Sequence, residues 1–248
     1  MGRSSDFVPE RNYRLHKIVM KYEAVIFDLF GTLIDVFSKS EYEDVMRDLA
    51  SALGASFDDF KTVWYETFHE RSTGIVPTNR ANLEYICRKL GVQADDEKIE
   101  RAAKIRHEFF AYAMKPRQDA IDVLSELRSQ GMKTALISNC SPVAAEVWPD
   151  TPFAPLFDTV VFSCSAHIKK PDPRIYQMAI EPLAVKPENC LYIGDGSGNE
   201  LAGAKEMGMH PMMICVDYEG DPDFYITDRQ KWDGPVISTL TEVLNLVK

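Results

Sequence analysis

Short apolar runs and longer amphipathic stretches alternate along most of this chain. Near-continuous apolar runs separated by amphipathic helices are typical of a parallel sheet covered on both faces. The pattern therefore predicts an α/β fold in which the first strand is central. The runs predicted to be buried strands are 24–27, 134–137, 159–162, 191–193 and 211–216, and helices are predicted over 120–130, 174–183 and 240–247.

A long helical segment separates the first predicted strand from the second. Apolar positions recur at helical spacing in four stretches between about 35 and 114, which indicates a small helical bundle. A chain of 248 residues suits one Rossmann-like core that carries such an insertion. The predicted division is a core of residues 20–35 and 116–248, a helical insertion of 36–115, and a polar extension of 1–19 that is expected to be disordered.

Composition narrows the classes of partner. A net charge of -10 repels nucleic acids and anionic membrane surfaces, so neither is expected as a partner. The sequence contains no apolar stretch of membrane-spanning length and no signal peptide at its start. Its five cysteines stand singly, without metal-type spacing, and are expected to be buried and reduced. We therefore expect a cytoplasmic protein that acts on a small molecule.

The end of the first strand carries the first sign of chemistry. Asp28 follows the apolar run directly, and Gly31 allows a sharp turn after it. Ligands of α/β sheets bind at the carboxyl ends of strands. A carboxylate there can attack an electrophile, and the amides of the turn can hold an anion. Phe30 cannot move a proton, so it is the residue that makes the reaction hard to name.

Three later segments complete a pattern. Ser138 and Asn139 end the second strand, Lys170 precedes a Pro-Asp-Pro turn, and Asp195 lies in a glycine-rich loop after another strand. In this order and at these separations the four segments resemble the haloacid dehalogenase superfamily of hydrolases. The resemblance covers nearly all of residues 20–248. It implies a Rossmann-like core and a mobile helical cap, inserted between the first two motifs, that selects the substrate.

The resemblance also implies a set of site residues and a Mg²⁺ cofactor. A carboxylate that attacks a phosphate faces like-charge repulsion, so counter-charge from Mg²⁺ and a lysine is needed. Either Asn199 or Glu200 would support the metal through water, and their spacing does not decide between them. The implied catalytic residues are Asp28, Ser138 and Lys170, the substrate contacts are Thr32, Ser138, Asn139 and Lys170, and the metal ligands are Asp28, the Phe30 backbone carbonyl and Asp195.

Phe30 leaves the reaction open, because the family's phosphatases normally carry an Asp there as general acid. Losing a general acid costs about 10² to 10⁴ in rate. The favoured hypothesis is a Mg²⁺-dependent phosphatase that acts on a small phosphorylated metabolite through an aspartyl-phosphate intermediate. Its leaving group would need no proton, or a cap residue such as Asp35, His69 or Glu70 would supply one.

Two alternatives remain. The superfamily's metal-free 2-haloacid dehalogenases carry an aromatic Tyr at the Phe30 position and share the Ser-Asn pair and the Lys170-to-Tyr176 spacing. They differ by having Ser in place of Asp195, and their cap arginine would fall at 58–61, which reads Asp-Asp-Phe-Lys here. The other alternative is a catalytically impaired ligand-binding protein, which would not need the four motif residues intact.

Overall fold

Parallel strands and helices alternate through the computed structural model, which describes residues 21–215 and 231–248. The predicted extension 1–19 lies outside the described residues. The strands are β1 (Ala24–Phe27), β2 (Lys133–Ser138), β3 (Thr159–Phe162), β4 (Cys190–Gly194), β5 (His210–Ile214) and β6 (Val236–Ile237). The α-helices are α1 (Lys39–Leu53), α2 (Phe57–Glu66), α3 (Phe68–Ser72), α4 (Asn79–Leu90), α5 (Asp96–Ala113), α6 (Ala120–Ser129), α7 (Pro142–Val147), α8 (Ser163–Ala166), α9 (Pro173–Ile180), α10 (Glu200–Glu206) and α11 (Val243–Leu246).

The described strands form one parallel sheet in the order β3-β2-β1-β4-β5-β6. The predicted α/β fold is confirmed, and β1 lies between β2 and β4 as expected. Strand β6 was not predicted, because a strand of two residues is too short to show an apolar pattern. The predicted final helix begins instead with a 3₁₀ turn, Leu240–Glu242, before α11.

Helices cover both faces of the sheet. Along β1, Val25 and Phe27 belong to one hydrophobic cluster, whereas Ala24 and Ile26 belong to another on the opposite face. All four side chains are fully buried. Burial of a large apolar side chain contributes about 1.5–3 kcal/mol, so two filled faces hold β1 firmly in place. The carboxyl end of β1, where Asp28 follows, is thereby fixed.

Helices α1 to α5 lie between β1 and α6, and all of them except α3 contribute to a third hydrophobic cluster, which includes Leu49, Phe60 and Trp64. The sequence predicted four helical stretches, but the second is divided into α2 and α3. Thr67 marks the division, since its hydroxyl donates to the Val63 carbonyl (2.7 Å) and so competes with the helical hydrogen bonds. The division of the chain into a core and a separate cap stays a prediction.

The helical segment begins and ends at one place beside the Asp28 turn. Ile34 and Pro116 form an antiparallel bridge. The amide of Arg117 donates to the Leu33 carbonyl (2.9 Å). The chain therefore leaves the sheet and returns to it beside the turn that follows Asp28.

Two expectations from composition can be compared with the structure. No helix in the described part of the chain combines the length and the hydrophobicity that a membrane crossing requires. Four of the five cysteines are buried, as expected, but Cys215 is exposed. The expectation was wrong there because Cys215 follows the last buried residue of β5, where the chain leaves the sheet.

Candidate active site

Three acidic side chains meet at the carboxyl ends of β1 and β4. Asp28 follows β1, Asp195 follows β4, and Glu200 begins α10. One carboxylate oxygen of each lies within 4.8 Å of the others. All three are buried, with exposed fractions of 6%, 1% and 0%. We call these residues the carboxylate cluster, and its assembly follows from the pairing of β1 with β4.

Lys170 is the cation that contacts the carboxylate cluster. Its Nζ donates to Asp28 Oδ1 and to Glu200 Oε2, both at 2.5 Å, and to the Ile137 carbonyl at 3.0 Å. Its neighbour Lys169 does not join this network, because its ammonium group lies 5.6 Å from the centre of the Phe68 ring. The structure therefore places Lys170, of the two lysines, where the sequence predicted a catalytic cation.

The pKa shifts show that charge in this cluster is unbalanced. Burial raises the pKa of Glu200 to about 8, and the neighbouring Asp28 charge adds to the effect. Burial also raises the pKa of Asp28, where repulsion by Asp195 partly offsets attraction by Lys170. For Lys170, burial lowers the pKa, but attraction to Asp28 and Glu200 outweighs burial and raises it. The Lys170 ammonium group thus binds two of the three acids, and burial together with mutual repulsion favours the protonated forms of Glu200 and Asp28.

The donor set of the carboxylate cluster fits a hard divalent cation. Mg²⁺ prefers oxygen ligands and commonly takes one or two carboxylates. Of the two residues that the sequence left open, Glu200 joins the cluster, whereas Asn199 is exposed and has a left-handed backbone (φ 56°). Gly31 is required for the packing, because its φ is 77° and a Cβ there would lie 2.6 Å from Asp195 Oδ2.

Three predicted polar residues surround Asp28 and Lys170. Thr32 Oγ1 donates to Asp28 Oδ2 (3.1 Å), while Lys170 donates to the other carboxylate oxygen, Oδ1. The two hydrogen bonds fix the orientation of the Asp28 carboxylate. Asn139 brackets the Lys170 main chain, since its Oδ1 accepts from the Lys170 amide (2.8 Å) and its Nδ2 donates to the Lys170 carbonyl (3.2 Å). The Ser138 hydroxyl is buried without a hydrogen-bond partner among the described residues, as a group that awaits a substrate oxygen would be.

Three further residues support the cluster, and of these the sequence singled out only Tyr176, for its spacing from Lys170 and not for a contact. Tyr192 OH donates to Glu200 Oε2 (2.8 Å), and Tyr176 OH donates to the Glu200 carbonyl (2.8 Å). The Ser197 amide and hydroxyl both donate to Asp195 (2.8 Å each). Ser197 could have been found, since an Asp side chain commonly accepts a hydrogen bond from the backbone amide two residues later and so forms a turn. Tyr192 gave no signal, because it lies inside an apolar strand.

Two cavities meet at Phe30. The first, of about 380 Å³, is lined by Asp28, Lys170 and Asp195 together with Phe30, Val36 and Phe68. The second, of about 340 Å³, shares these last three residues and is otherwise mostly aromatic. We call the second the aromatic cavity.

None of the three residues considered as a substitute proton donor lines the cavity at Asp28. Asp35 lies 3.8 Å from Arg117 in an ion pair, His69 is exposed, and Glu70 accepts from Tyr85 OH (3.4 Å). The residue at the position of the family's general acid is Phe30, whose ring packs edge-on against Phe37 and Phe110. In this arrangement the cavity offers no proton donor from these three positions.

Residues 22–208 match the family model of haloacid dehalogenase-like hydrolases. This chain belongs to that family. It is accordingly a hydrolase, and the resemblance drawn from the four motifs is confirmed.

Relatives of this hydrolase include enzymes of two kinds. A glyceraldehyde 3-phosphate phosphatase of Methanopyrus kandleri is 28% identical over 199 residues, which cover 77% of this chain and 83% of that protein. An (S)-2-haloacid dehalogenase of Burkholderia cepacia is also 28% identical, over 222 residues that cover 84% of this chain and 88% of that protein. Sequence similarity alone therefore does not separate phosphate release from dehalogenation in this hydrolase.

Solved structures show the same fold. A family enzyme from Bacteroides thetaiotaomicron, in complex with magnesium and inorganic phosphate, superposes with a TM-score of 0.62 at 17% identity and covers 81% of this chain and 97% of its own. An L-2-haloacid dehalogenase from Xanthobacter autotrophicus, with chloropropionic acid covalently bound, superposes with a TM-score of 0.61 at 21% identity. The match covers 91% of this chain and 98% of that one. At these identities the likeness concerns the fold alone.

Proposed function

We propose that this hydrolase is a Mg²⁺-dependent phosphatase that acts on a small phosphorylated metabolite through an aspartyl-phosphate intermediate. The observation that carries the proposal is the carboxylate cluster, in which three buried acids lie together and two of them, Asp28 and Glu200, bind the ammonium group of Lys170. A buried group of carboxylates is costly unless a cation compensates their charge. A bound Mg²⁺ would compensate the charge that these acids carry when they are deprotonated.

Asp28 is the nucleophile in this proposal. Its carboxylate attacks phosphorus, the bond from phosphorus to the leaving-group oxygen breaks, and the leaving group departs with the electron pair of that bond. Water then attacks the aspartyl phosphate, which releases inorganic phosphate and restores the carboxylate. Thr32 and Lys170 each hold one oxygen of Asp28 and keep it aimed at the phosphorus atom.

Stabilisation of the transferred phosphoryl group is assigned to Lys170 and Ser138. Lys170 supplies fixed positive charge from a buried position, where electrostatic stabilisation is strongest. Ser138 supplies a hydroxyl that has no other partner among the described residues. Asp28, Asp195 and the Phe30 backbone carbonyl would hold Mg²⁺, which when bound supplies the remaining counter-charge for the phosphate oxygens.

Phe30 restricts the leaving group in this proposal. A side chain without an ionisable group cannot protonate a departing alkoxide, so the enzyme is suited to groups that leave as stable anions. Acyl phosphates and aryl phosphates have such leaving groups. We therefore expect acetyl phosphate and p-nitrophenyl phosphate to be hydrolysed and simple alkyl phosphates to be poor substrates.

Phosphate release from these two compounds tests the proposal. We expect release with Mg²⁺, none with EDTA, and a fall of roughly 10³-fold or more in the Asp28→Asn variant. Addition of Mg²⁺ to the metal-free protein should also raise its melting temperature, and Asp195→Asn should weaken that shift. Release that persists in EDTA, or in Asp28→Asn, would remove the metal or the nucleophile from the reaction.

Dehalogenation is the second candidate, because halide also leaves without a proton and Phe30 offers an aromatic wall where those relatives carry a Tyr. Chloride release from 2-chloropropionate in EDTA is the decisive assay. Chloride release that depends on Asp28, with no phosphate release from either phosphate ester, would reverse the order of the two candidates. Absence of both products would favour a ligand-binding protein with an impaired catalytic cycle.

A further inference from the structure

Arg71 in α3 is a buried cation that makes no ion pair with any described residue. Its side chain donates from Nη2 to the Trp64 carbonyl (2.5 Å) and from Nε to Thr67 Oγ1 (3.4 Å). The guanidinium carbon lies 4.1 Å from the centre of the Trp64 ring. Nη1 has no hydrogen-bond partner in the part of the chain that the structure describes. Only 2% of Arg71 is exposed, so a donor without a partner lies on a largely buried side chain.

A second buried arginine lies on the same ring. The guanidinium carbon of Arg106 is 4.8 Å from the centre of the Trp64 ring. Its partners are neutral: Asn79 Oδ1 (3.0 Å), Asn82 Oδ1 (3.3 Å) and Ser141 Oγ (2.7 Å). Arg106 also makes no ion pair with a described residue. We call Arg71 and Arg106 the arginine pair.

Both members of the arginine pair stay charged at neutral pH. Burial lowers the pKa of Arg71 to about 10 and that of Arg106 to about 9. Repulsion by the positive charge of Arg71 lowers the pKa of Arg106 further. Two buried positive charges without a carboxylate are costly, and a bound anion would relieve that cost. A guanidinium group with a free N–H fits a carboxylate particularly well.

The position of Arg71 connects it with the active site. Arg71 lines the aromatic cavity, which borders the cavity at Asp28 along Phe30, Val36 and Phe68. Phe68 is 44% exposed, which is unusual for a large apolar side chain beside a catalytic cavity. A molecule whose reactive group lies at Asp28 can therefore extend past Phe30 toward Arg71.

We propose that the aromatic cavity receives the leaving group of the substrate and that Arg71 binds a carboxylate on it. The substrate class is then a phosphate ester or acyl phosphate whose leaving group is an apolar ring or chain that carries a carboxylate. This inference rests on the proposed phosphatase function and deepens it. It also agrees with Phe30, because an aryl oxide or a carboxylate leaves without a proton.

A pair of matched substrates tests the proposal. The compounds are 4-carboxyphenyl phosphate and 4-carbamoylphenyl phosphate, which differ in charge but hardly in shape. We expect the wild-type enzyme to show a kcat/KM at least about tenfold higher for the carboxylate, since a buried charged pair is worth more than a neutral contact. Arg71→Met should bring the ratio near one, and Arg71→Lys should keep part of it.

Arg47→Met is the control variant. Arg47 also stacks on an aromatic ring, with its guanidinium carbon 3.8 Å from the centre of Phe57, but it is exposed and does not line either cavity. Its ratio should equal that of the wild type. A wild-type ratio near one overturns the proposal even when Arg71→Met fails to fold.

A binding measurement separates failure of this inference from failure of the proposed function. Benzoate and benzamide are titrated into the Asp28→Asn protein while tryptophan fluorescence is followed. A Trp64→Phe variant shows whether the signal comes from Trp64. We expect a change with benzoate that Arg71→Met removes, and little change with benzamide. If benzoate binds in this way but the wild-type enzyme releases no phosphate, the carboxylate site is retained and the phosphatase function is rejected. If the wild-type enzyme releases phosphate but benzoate does not bind and the two substrates react equally well, the phosphatase function is retained and the carboxylate site is rejected.

Discussion

The carboxylate cluster and the arginine pair are two buried charged regions of opposite sign. In the cluster, Lys170 binds two of the three acids, whereas the two arginines have only neutral hydrogen-bond partners among the described residues. Stable proteins seldom bury charge without compensation. The carboxylate cluster is therefore suited to bind a cation, and the arginine pair is suited to bind an anion.

The two regions differ in the part of the fold that carries them, and in the proposed function one serves the chemistry and the other the selection of the substrate. The carboxylate cluster lies on strand ends of a sheet that is packed on both faces, so its geometry is fixed. The arginine pair lies on helices of the inserted segment, around one tryptophan. A phosphate ester with a carboxylated leaving group, together with Mg²⁺, would complete both regions at once.

The largest expected effect comes from removing Lys170. Lys170→Met leaves the buried Asp28 and Glu200 without their ammonium partner, so the free energy of unfolding in EDTA should fall by about 3–5 kcal/mol. Phosphate release should fall by roughly 10² to 10³-fold, as for loss of one electrostatic stabiliser. Chemical denaturation and a phosphate assay measure the two effects.

Lys169→Met is the matched control for stability. Its ammonium group contacts the Phe68 ring rather than an acid, so the change should be within about 0.5 kcal/mol. Equal stability of the two variants would show that Lys170 does not hold the cluster together.

The border between the two regions offers a second test. Phe30→Asp places a carboxyl group where the family's phosphatases carry their general acid, so hydrolysis of glycerol 2-phosphate should rise by about 10²-fold. The same change should lower kcat/KM for 4-carboxyphenyl phosphate, because a carboxylate beside the aromatic cavity repels it.

Phe30→Asn is the control for this gain, since it has the same shape as the Asp variant but carries no transferable acid proton. A similar gain in both variants would mean that space, not proton transfer, limits the reaction. No gain in either would indicate a pocket built for another leaving group.

A pH dependence of stability should also distinguish the two regions. Glu200 has an ordinary pKa of 4.5 and a pKa of about 8 in the fold. Between these values the folded protein keeps a proton that the unfolded chain has released, so stability falls as pH rises. In EDTA the loss should be on the order of a few kcal/mol. The arginine pair keeps its charge over this range.

Glu200→Gln should show a smaller fall, measured by urea denaturation between pH 5 and pH 8. Asp28, whose pKa is also raised, should leave part of the slope in place. The exposed Glu188→Gln variant is the control and should keep the wild-type slope. A slope for Glu200→Gln equal to that of the wild type would exclude Glu200 as its source.

The fold could be predicted from local sequence signals to a large extent. Strands β1 and β3 have the predicted bounds, and β2, β4 and β5 differ by one or two residues, because a fully buried strand has a continuous apolar run. The break at Thr67 was not predicted, since the apolar stripe continues through it. A side-chain hydrogen bond to the backbone leaves no trace in an apolar pattern.

The site was predictable where it depends on the ends of adjacent strands. Asp28 and Asp195 meet because β1 pairs with β4, and Lys170 reaches both β1 and α10. The arginine pair was not predicted. Arg106 occupies an apolar position of its helix, which was a signal of burial, but only the folded structure shows that Arg71 lies on the same tryptophan.

The bridge between Ile34 and Pro116 has a consequence for how such an enzyme changes over evolution. Both ends of segment 36–115 are tied at that bridge, with the Arg117 amide bound to Leu33. Insertions, deletions or exchange of the helices between them need not shift the register of β1 against β2. The helices between these ends can thus change over evolution while the strands that carry Asp28 and Asp195 keep their pairing.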